Sequence, residues 1–217
     1  MKRMIRMEGI PSFFAGFYSF FIGKSSLVRE IYKDIAEELS QNIFHGRILD
    51  VGTGPGFLPL EIARKSPEFE IFGIDISKGM IKIANKNLKY SDFSERMTFI
   101  NANASLIPFK DECFDFVVST FSFHHWAEPL ECLKEIGRVL KKGGEAWIYD
   151  IRRDTSRETN IKIRRRYGFF LYFILQFVKL HSSVTMDKIE RIPYRIIGFS
   201  NRLIEDREII LKIRFIK

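Results

Sequence analysis

The stretch Ile48-Leu49-Asp50-Val51-Gly52-Thr53-Gly54-Pro55-Gly56 constrains the fold more than any other: a short apolar strand runs directly into glycines at every second position. Glycines there let the backbone turn left-handed, approach a ligand without a Cβ in the way, and present N–H groups at the start of the next helix. Around this stretch the apolar pattern alternates in type. Leu27, Ile31, Ile35 and Leu39 keep a four-residue beat that predicts a helix over 25–39. Segments 47–51, 70–75, 97–101, 114–119 and 145–150 read as short apolar strands. Helices are expected over 57–65, over 77–88 with Ser77 as N-cap, and over 129–140, closed by Lys141-Lys142-Gly143-Gly144. Strands that are apolar throughout, alternating with helices, predict an α/β fold: a doubly wound, mostly parallel sheet covered on both faces. In such sheets ligands sit beyond the carboxyl ends of the strands.

The end of the chain changes pattern. A helix is expected over 185–197, followed by strands over 199–205 and 208–215 joined by a tight Asp206–Arg207 turn. That hairpin places an antiparallel strand at the end of a seven-stranded sheet. The last strand alternates Ile209, Leu211, Ile213 and Phe215 against Ile210, Lys212 and Arg214. The expected organisation is one domain over 1–217. It comprises an N-terminal helical cap (1–45), a cofactor-binding core (46–150), a lid insertion (151–184), and the last helix with the hairpin (185–217).

With 46% hydrophobic and 29% charged residues over 217 positions, a disordered chain or a disulfide-stapled miniprotein is excluded. Cys113 and Cys132 have no metal-ligand spacing to each other or to the four histidines. No metal is expected, and a reduced, cytoplasmic chain is. The basic character is confined to the last third: residues 151–217 hold 16 Lys and Arg against 7 Asp and Glu. The N-terminus resembles a signal peptide only in part, since Glu8, Pro11 and Ser12 interrupt it and no small-residue cleavage site follows. Phe169 to Val178 is far shorter than the roughly 20 residues a spanning helix needs.

About twenty residues past the glycines, Asp75 ends the second strand, where a carboxylate can accept from both hydroxyls of a ribose. A nucleoside-containing cofactor is implied. A dinucleotide fingerprint needs G-x-G-x-x-G, and its third glycine would fall at Phe57; the spacing here is G-x-G-x-G. Nicotinamide and flavin dinucleotides are therefore disfavoured.

LDVGTGPG, GIDIS-KGM, NANASLIPFKDECFDFVVS and LKEIGRVLKKGG, in this order and spacing, resemble the class I S-adenosylmethionine-dependent methyltransferases. Within them the similarity is greatest to the small-molecule branch that includes the ubiquinone/menaquinone-biosynthesis enzymes. The resemblance implies S-adenosylmethionine as cofactor and S-adenosylhomocysteine as product. It places Gly52, Thr53 and Gly54 at the methionine part of the cofactor, with Asp50 holding the loop and reaching the amino group through water. Asp75 would hold the ribose, Ile76 and Met80 would pack on the adenine, and Asn103 with Ala104 would border it where the family often has Asp-Ala. Ser119 and Thr120 would lie beside the sulfonium. Tyr18, in an aromatic stretch with Phe13, Phe17, Phe20 and Phe21, would close over the cofactor, or the stretch would simply pack in the core.

The chemistry left to the protein is alignment of an acceptor, exclusion of water and removal of a proton where the acceptor carries one. His124 or His125 would act as base or positioning group, or the pair would cap the turn into the next helix. The expected acceptor is small and hydrophobic: a quinone precursor, lipid or aromatic metabolite. The alternatives are methylation of RNA or protein, and a cofactor-binding regulator without turnover. Nucleic acid is disfavoured because no aromatic-basic RNA module and no Asn-Pro-Pro-Tyr-type motif follow the fourth strand. For segment 164–180, where Arg164-Arg165-Arg166 precede Phe169 to Leu175, two readings stand. One is a helix resting on an anionic membrane surface; the other is a helix buried in the lid or in a homodimer interface.

Overall fold

Seven strands lie in one sheet in the order β3-β2-β1-β4-β5-β7-β6. The computed structural model describes residues 25–181, 184–195, 197–207 and 209–217. The phenylalanine stretch and Tyr18 lie outside the described residues. In chain order the elements are α1 (Ser26–Asn42), β1 (Gly46–Val51), α2 (Phe57–Ala63), β2 (Phe69–Asp75), α3 (Lys78–Lys89), β3 (Met97–Asn101) and β4 (Phe114–Thr120). A 3-10 turn (Phe123–His125) then leads to α4 (Pro129–Val139), β5 (Leu140–Ile151), α5 (Arg157–His181), α6 (Met186–Glu190), β6 (Asn201–Arg207) and β7 (Ile210–Ile216). β1 to β5 run parallel, and β7 enters antiparallel between β5 and β6. The doubly wound, mostly parallel fold expected from the alternation is the fold observed.

Two apolar clusters cover the two faces. Leu49, Val51, Val117, Ile148 and Ile213 point to one, and Ile48, Ile71, Phe116, Val118 and Trp147 to the other. Successive strand residues point to opposite faces, so strands buried on both sides must be apolar at every position, as these sequences are. Ser77 caps α3 as expected, its hydroxyl accepting from the Met80 N–H at 3.4 Å. Ser77→Ala should cost about 1 kcal/mol of stability in a denaturant titration.

Four expectations are corrected. The helix over 185–197 is only α6, five residues long, because Pro193 has no N–H and its ring would meet the carbonyl four residues back. α4 ends at Val139 rather than Leu140, which already pairs with Phe114 as the first residue of β5. Lys141 to Gly144 therefore belong to an irregular stretch of strand, where Gly143 takes a φ of 76°. The hairpin turns after Arg207, which pairs with Ile210, so both strands start two residues later than expected.

Lastly, Lys212 does not face solvent. β7 is an inner strand covered on both faces, and Lys212 is 1% exposed, its ammonium 3.7 Å from the centre of the Trp147 ring. It donates to Glu38 of α1 at 2.6 Å, and Arg207 donates to the same carboxylate. Burial alone would raise the Glu38 carboxyl; the hydrogen bonds from Arg207 and Lys212 outweigh it and hold the group at about 2. This knot ties α1 to the far end of the sheet.

Segment 151–184 holds α5, which breaks at Gly168, where φ is 79° and ψ 168°. Before the break Ile163 is buried and Arg164, Arg165 and Arg166 are exposed, as is Phe169 just after it. No described helix is long and apolar enough to cross a membrane.

Candidate active site

The loops after β1, β2, β3 and β4 meet at one end of the sheet around a cleft of about 830 Å³ counted with its open mouth. The glycine loop forms its floor. Gly52, Gly54 and Gly56 take φ values of 78°, 53° and 78°. The Gly52 and Thr53 N–H groups both donate to the Ile74 carbonyl, at 2.8 and 2.9 Å. A Cβ on Gly52 would stand 2.4 Å from the Ser122 side chain, so that position has neither the backbone angle nor the room for alanine.

Asp75 closes the loop from the next strand. Its two carboxylate oxygens accept from the Gly54 N–H at 2.9 Å and the Ser77 N–H at 2.8 Å. Burial raises its carboxyl above the ordinary range, and those two N–H groups oppose the shift. Each oxygen keeps further accepting capacity, and Asp75 lines the cleft.

Asp50 lies beneath the loop, 1% exposed, with the Thr53 hydroxyl of the loop beside its carboxyl but no hydrogen bond of good geometry to either oxygen among the described residues. The Ile74 carbonyl and Asp75 make the well-formed hydrogen bonds to the loop. Burial pushes the Asp50 carboxyl up to about 7; the nearby Thr53 hydroxyl pulls it back and the Asp75 charge adds to the rise. The Thr53 hydroxyl is itself buried and unpartnered. Three buried polar atoms in and beneath the glycine loop thus have no hydrogen bond of good geometry. Thr53 lines the cleft and the Asp50 carboxyl is buried beneath it, so polar groups suited to the amino-acid end of S-adenosylmethionine lie in and under the glycine loop.

Of the other residues singled out in the sequence, Gly52, Thr53, Gly54, Asp75, Ile76, Met80, Asn103, Ala104, Thr120 and His125 all line the cleft. Asn103 has its side-chain oxygen partly committed to the Ser105 N–H at 3.0 Å. Ser119 is fully buried behind the wall, sharing a 2.7 Å hydrogen bond with Ser122, which in turn donates to the Val51 carbonyl. His124 also lies behind, against Asp150 at 2.8 Å. The adjacent histidines are therefore separated by role: only His125 borders the cleft.

Sequence reasoning missed Tyr32, which lines the cleft from α1 off the four-residue beat of that helix. It also left Phe121, Ser122 and Trp126 without roles, although their place just after the fourth strand was a sufficient signal. Among the described residues no group of three His, Cys, Asp or Glu could hold a metal.

Residues 49–148 match the family model described as a methyltransferase domain. The ubiquinone/menaquinone biosynthesis C-methyltransferase of Geobacter sulfurreducens is 37% identical over 131 residues, 60% of this chain and 50% of that one. The demethylmenaquinone methyltransferase of Thermotoga maritima is 33% identical over 141 residues, 65% of this chain and 58% of that one. The chain spans about half the length of the curated relatives it matches. Among solved structures, an inferred S-adenosyl-L-methionine-dependent methyltransferase of Methanococcus maripaludis superposes with a TM-score of 0.75, at 24% identity, over 99% of this chain and 96% of that one. That likeness shows the fold. Over residues 49–148 the chain is thus similar to the methyltransferase-domain family, and it has the fold of the S-adenosyl-L-methionine-dependent methyltransferase structure it superposes on.

Proposed function

We propose that this chain methylates a small, apolar acceptor of the quinone-precursor type, using S-adenosylmethionine and releasing S-adenosylhomocysteine. The observation that carries the reading is an apolar, aromatic-walled cleft over the glycine loop, with Asp75 and Thr53 in its lining and the Asp50 carboxyl buried beneath. When bound, S-adenosylmethionine supplies a methyl group already activated by a sulfonium, so no metal or strong electrophile is asked of the protein.

The residues divide the remaining work. Asp75 uses its free lone pairs for the ribose hydroxyls. Ile76 and Met80 give the adenine apolar faces, with Asn103 and Ala104 at its edge. Thr53, with Asp50 beneath it, takes the amino-acid end over the open space beside Gly54. On the other side Tyr32, Phe121 and Trp126 exclude water and orient a flat apolar acceptor, while Thr120 and His125 supply the polar contacts there. The relatives named above act in quinone biosynthesis, which agrees with such a wall.

The test uses cofactor labelled on its methyl group, incubated with purified protein and cell extract, then partitioned between solvent and water. Label is expected in the organic phase. Label confined to RNA or protein would support a macromolecular acceptor instead. Tight cofactor binding without transfer to any fraction would mark a binding protein.

A further inference from the structure

The chain leaves β4 through Phe121 with a φ of 53°, a left-handed conformation that strains a bulky residue. Phe121, Ser122, His125 and Trp126 of the turn that follows all line the cleft. A carboxylate on the neighbouring strand holds this turn. Asp150, fully buried in β5, accepts the His124 main-chain N–H at 2.8 Å, the His124 Nδ1 at 2.8 Å and the Ile151 N–H at 2.7 Å.

A carboxylate can only accept, so Nδ1 of His124 carries the proton and Nε2 is left as the other polar atom of the ring. That Nε2 is buried with no partner. The His124 ring lies 4.0 Å, centre to centre, from the ring of His125, tilted by 48°. A strained aromatic residue and an unsatisfied imidazole nitrogen thus occur within four residues, in a turn that faces the cleft. Packing alone favours neither, and strain of this kind collects where a site must be held in one geometry.

We propose that Asp150 and His124 form a positioning dyad for the acceptor half of the cleft. Asp150 fixes the protonated nitrogen and the orientation of His124. The His124 ring then sets the plane of His125, which meets the acceptor. The proposal rests on the methyl-transfer reading for what the acceptor is, and on the geometry alone for how the turn is held. The cofactor half is held separately, by Asp75 and the Ile74 carbonyl.

Asp150→Asn keeps the shape but places an NH2 where an oxygen now accepts, so His124 loses one of its two acceptors. His124→Asn keeps a donor for Asp150 and removes the ring that His125 rests on. The readouts are long-range 1H–15N spectra of the imidazoles, calorimetric titration with S-adenosylhomocysteine, and methyl transfer to 1,4-naphthohydroquinone as probe acceptor. The wild-type protein should show His124 protonated at Nδ1, and Asp150→Asn should lose that signature. Both variants should raise KM for the probe about tenfold or more while the Kd for S-adenosylhomocysteine stays within about twofold. His124 protonated at Nε2 in the wild type would overturn the dyad, as would variants whose cofactor affinity falls as far as their probe KM rises. A wild-type protein that binds S-adenosylhomocysteine but leaves the probe unmethylated would count against the acceptor class. The spectra would then decide the dyad by themselves.

Discussion

Replacing Asp50 with asparagine should stabilise the ligand-free protein at pH 8 by about 2–4 kcal/mol and do almost nothing at pH 4. The Asp50 carboxyl titrates near 7 when buried, against an ordinary value of 3.8. Between those values the folded protein keeps a proton that the unfolded chain has released, so stability falls as pH rises through that window. Above about 7 the folded protein holds the buried charge at full cost; below about 3.8 both states are neutral and the cost vanishes. Each unit is about 1.36 kcal/mol, which sets the upper figure. An asparagine side chain has no charge to lose, so the stability of the Asp50→Asn protein should lack this slope. Denaturant titrations of both proteins at pH 4.5, 6 and 8 check it, and parallel curves would remove Asp50 as the source. The same substitution should weaken S-adenosylmethionine binding at pH 8, where the cationic amino group of the ligand is proposed to compensate this charge. A destabilising carboxyl buried beneath the glycine loop is the arrangement expected where a ligand completes the fold's hydrogen bonding.

Asp75→Ala should raise the Kd for S-adenosylmethionine about a hundredfold or more. Two charge-assisted hydrogen bonds to a ribose would be lost, together about 3 kcal/mol. The change also strips the Gly54 and Ser77 N–H groups of their acceptor, so the glycine loop loses one of its ties and α3 one contact at its start. Calorimetry with S-adenosylhomocysteine reads the affinity, and a thermal melt reads the loop. Unchanged affinity would remove the ribose assignment and leave Asp75 as a loop anchor only.

These residues differ in how far they could be read from the chain. Asp75 was legible because a strand, three alternating glycines and an acid about twenty residues later form a local pattern with one geometric solution. The sheet was legible for a related reason: strands buried on both faces must be apolar at consecutive positions, which short stretches of sequence display. Pro193 was equally legible, and the helix over 185–197 fails at that residue on local grounds alone. Lys212 was not. Its neighbours alternate as they would in a strand with one wet face, and only the insertion of β7 between β5 and β6 reverses that. Its partner Glu38 lies at the other end of the chain. The histidines give the same lesson more sharply, since two identical adjacent side chains cannot be ranked by local pattern.

The sequence by itself determined the alternating α/β architecture, the antiparallel hairpin, the glycine loop and the acid at the end of the second strand. Each follows from the conformational demands and burial of residues a few positions apart. The tertiary structure decided which polar groups are desolvated and by whom they are met: Asp50 left without a well-formed hydrogen bond, Lys212 clamped by Glu38, His124 turned to Asp150 and His125 to the cleft. Desolvation and hydrogen-bond partnership are set by what the fold brings alongside from distant positions, and periodicity along the chain carries no record of it.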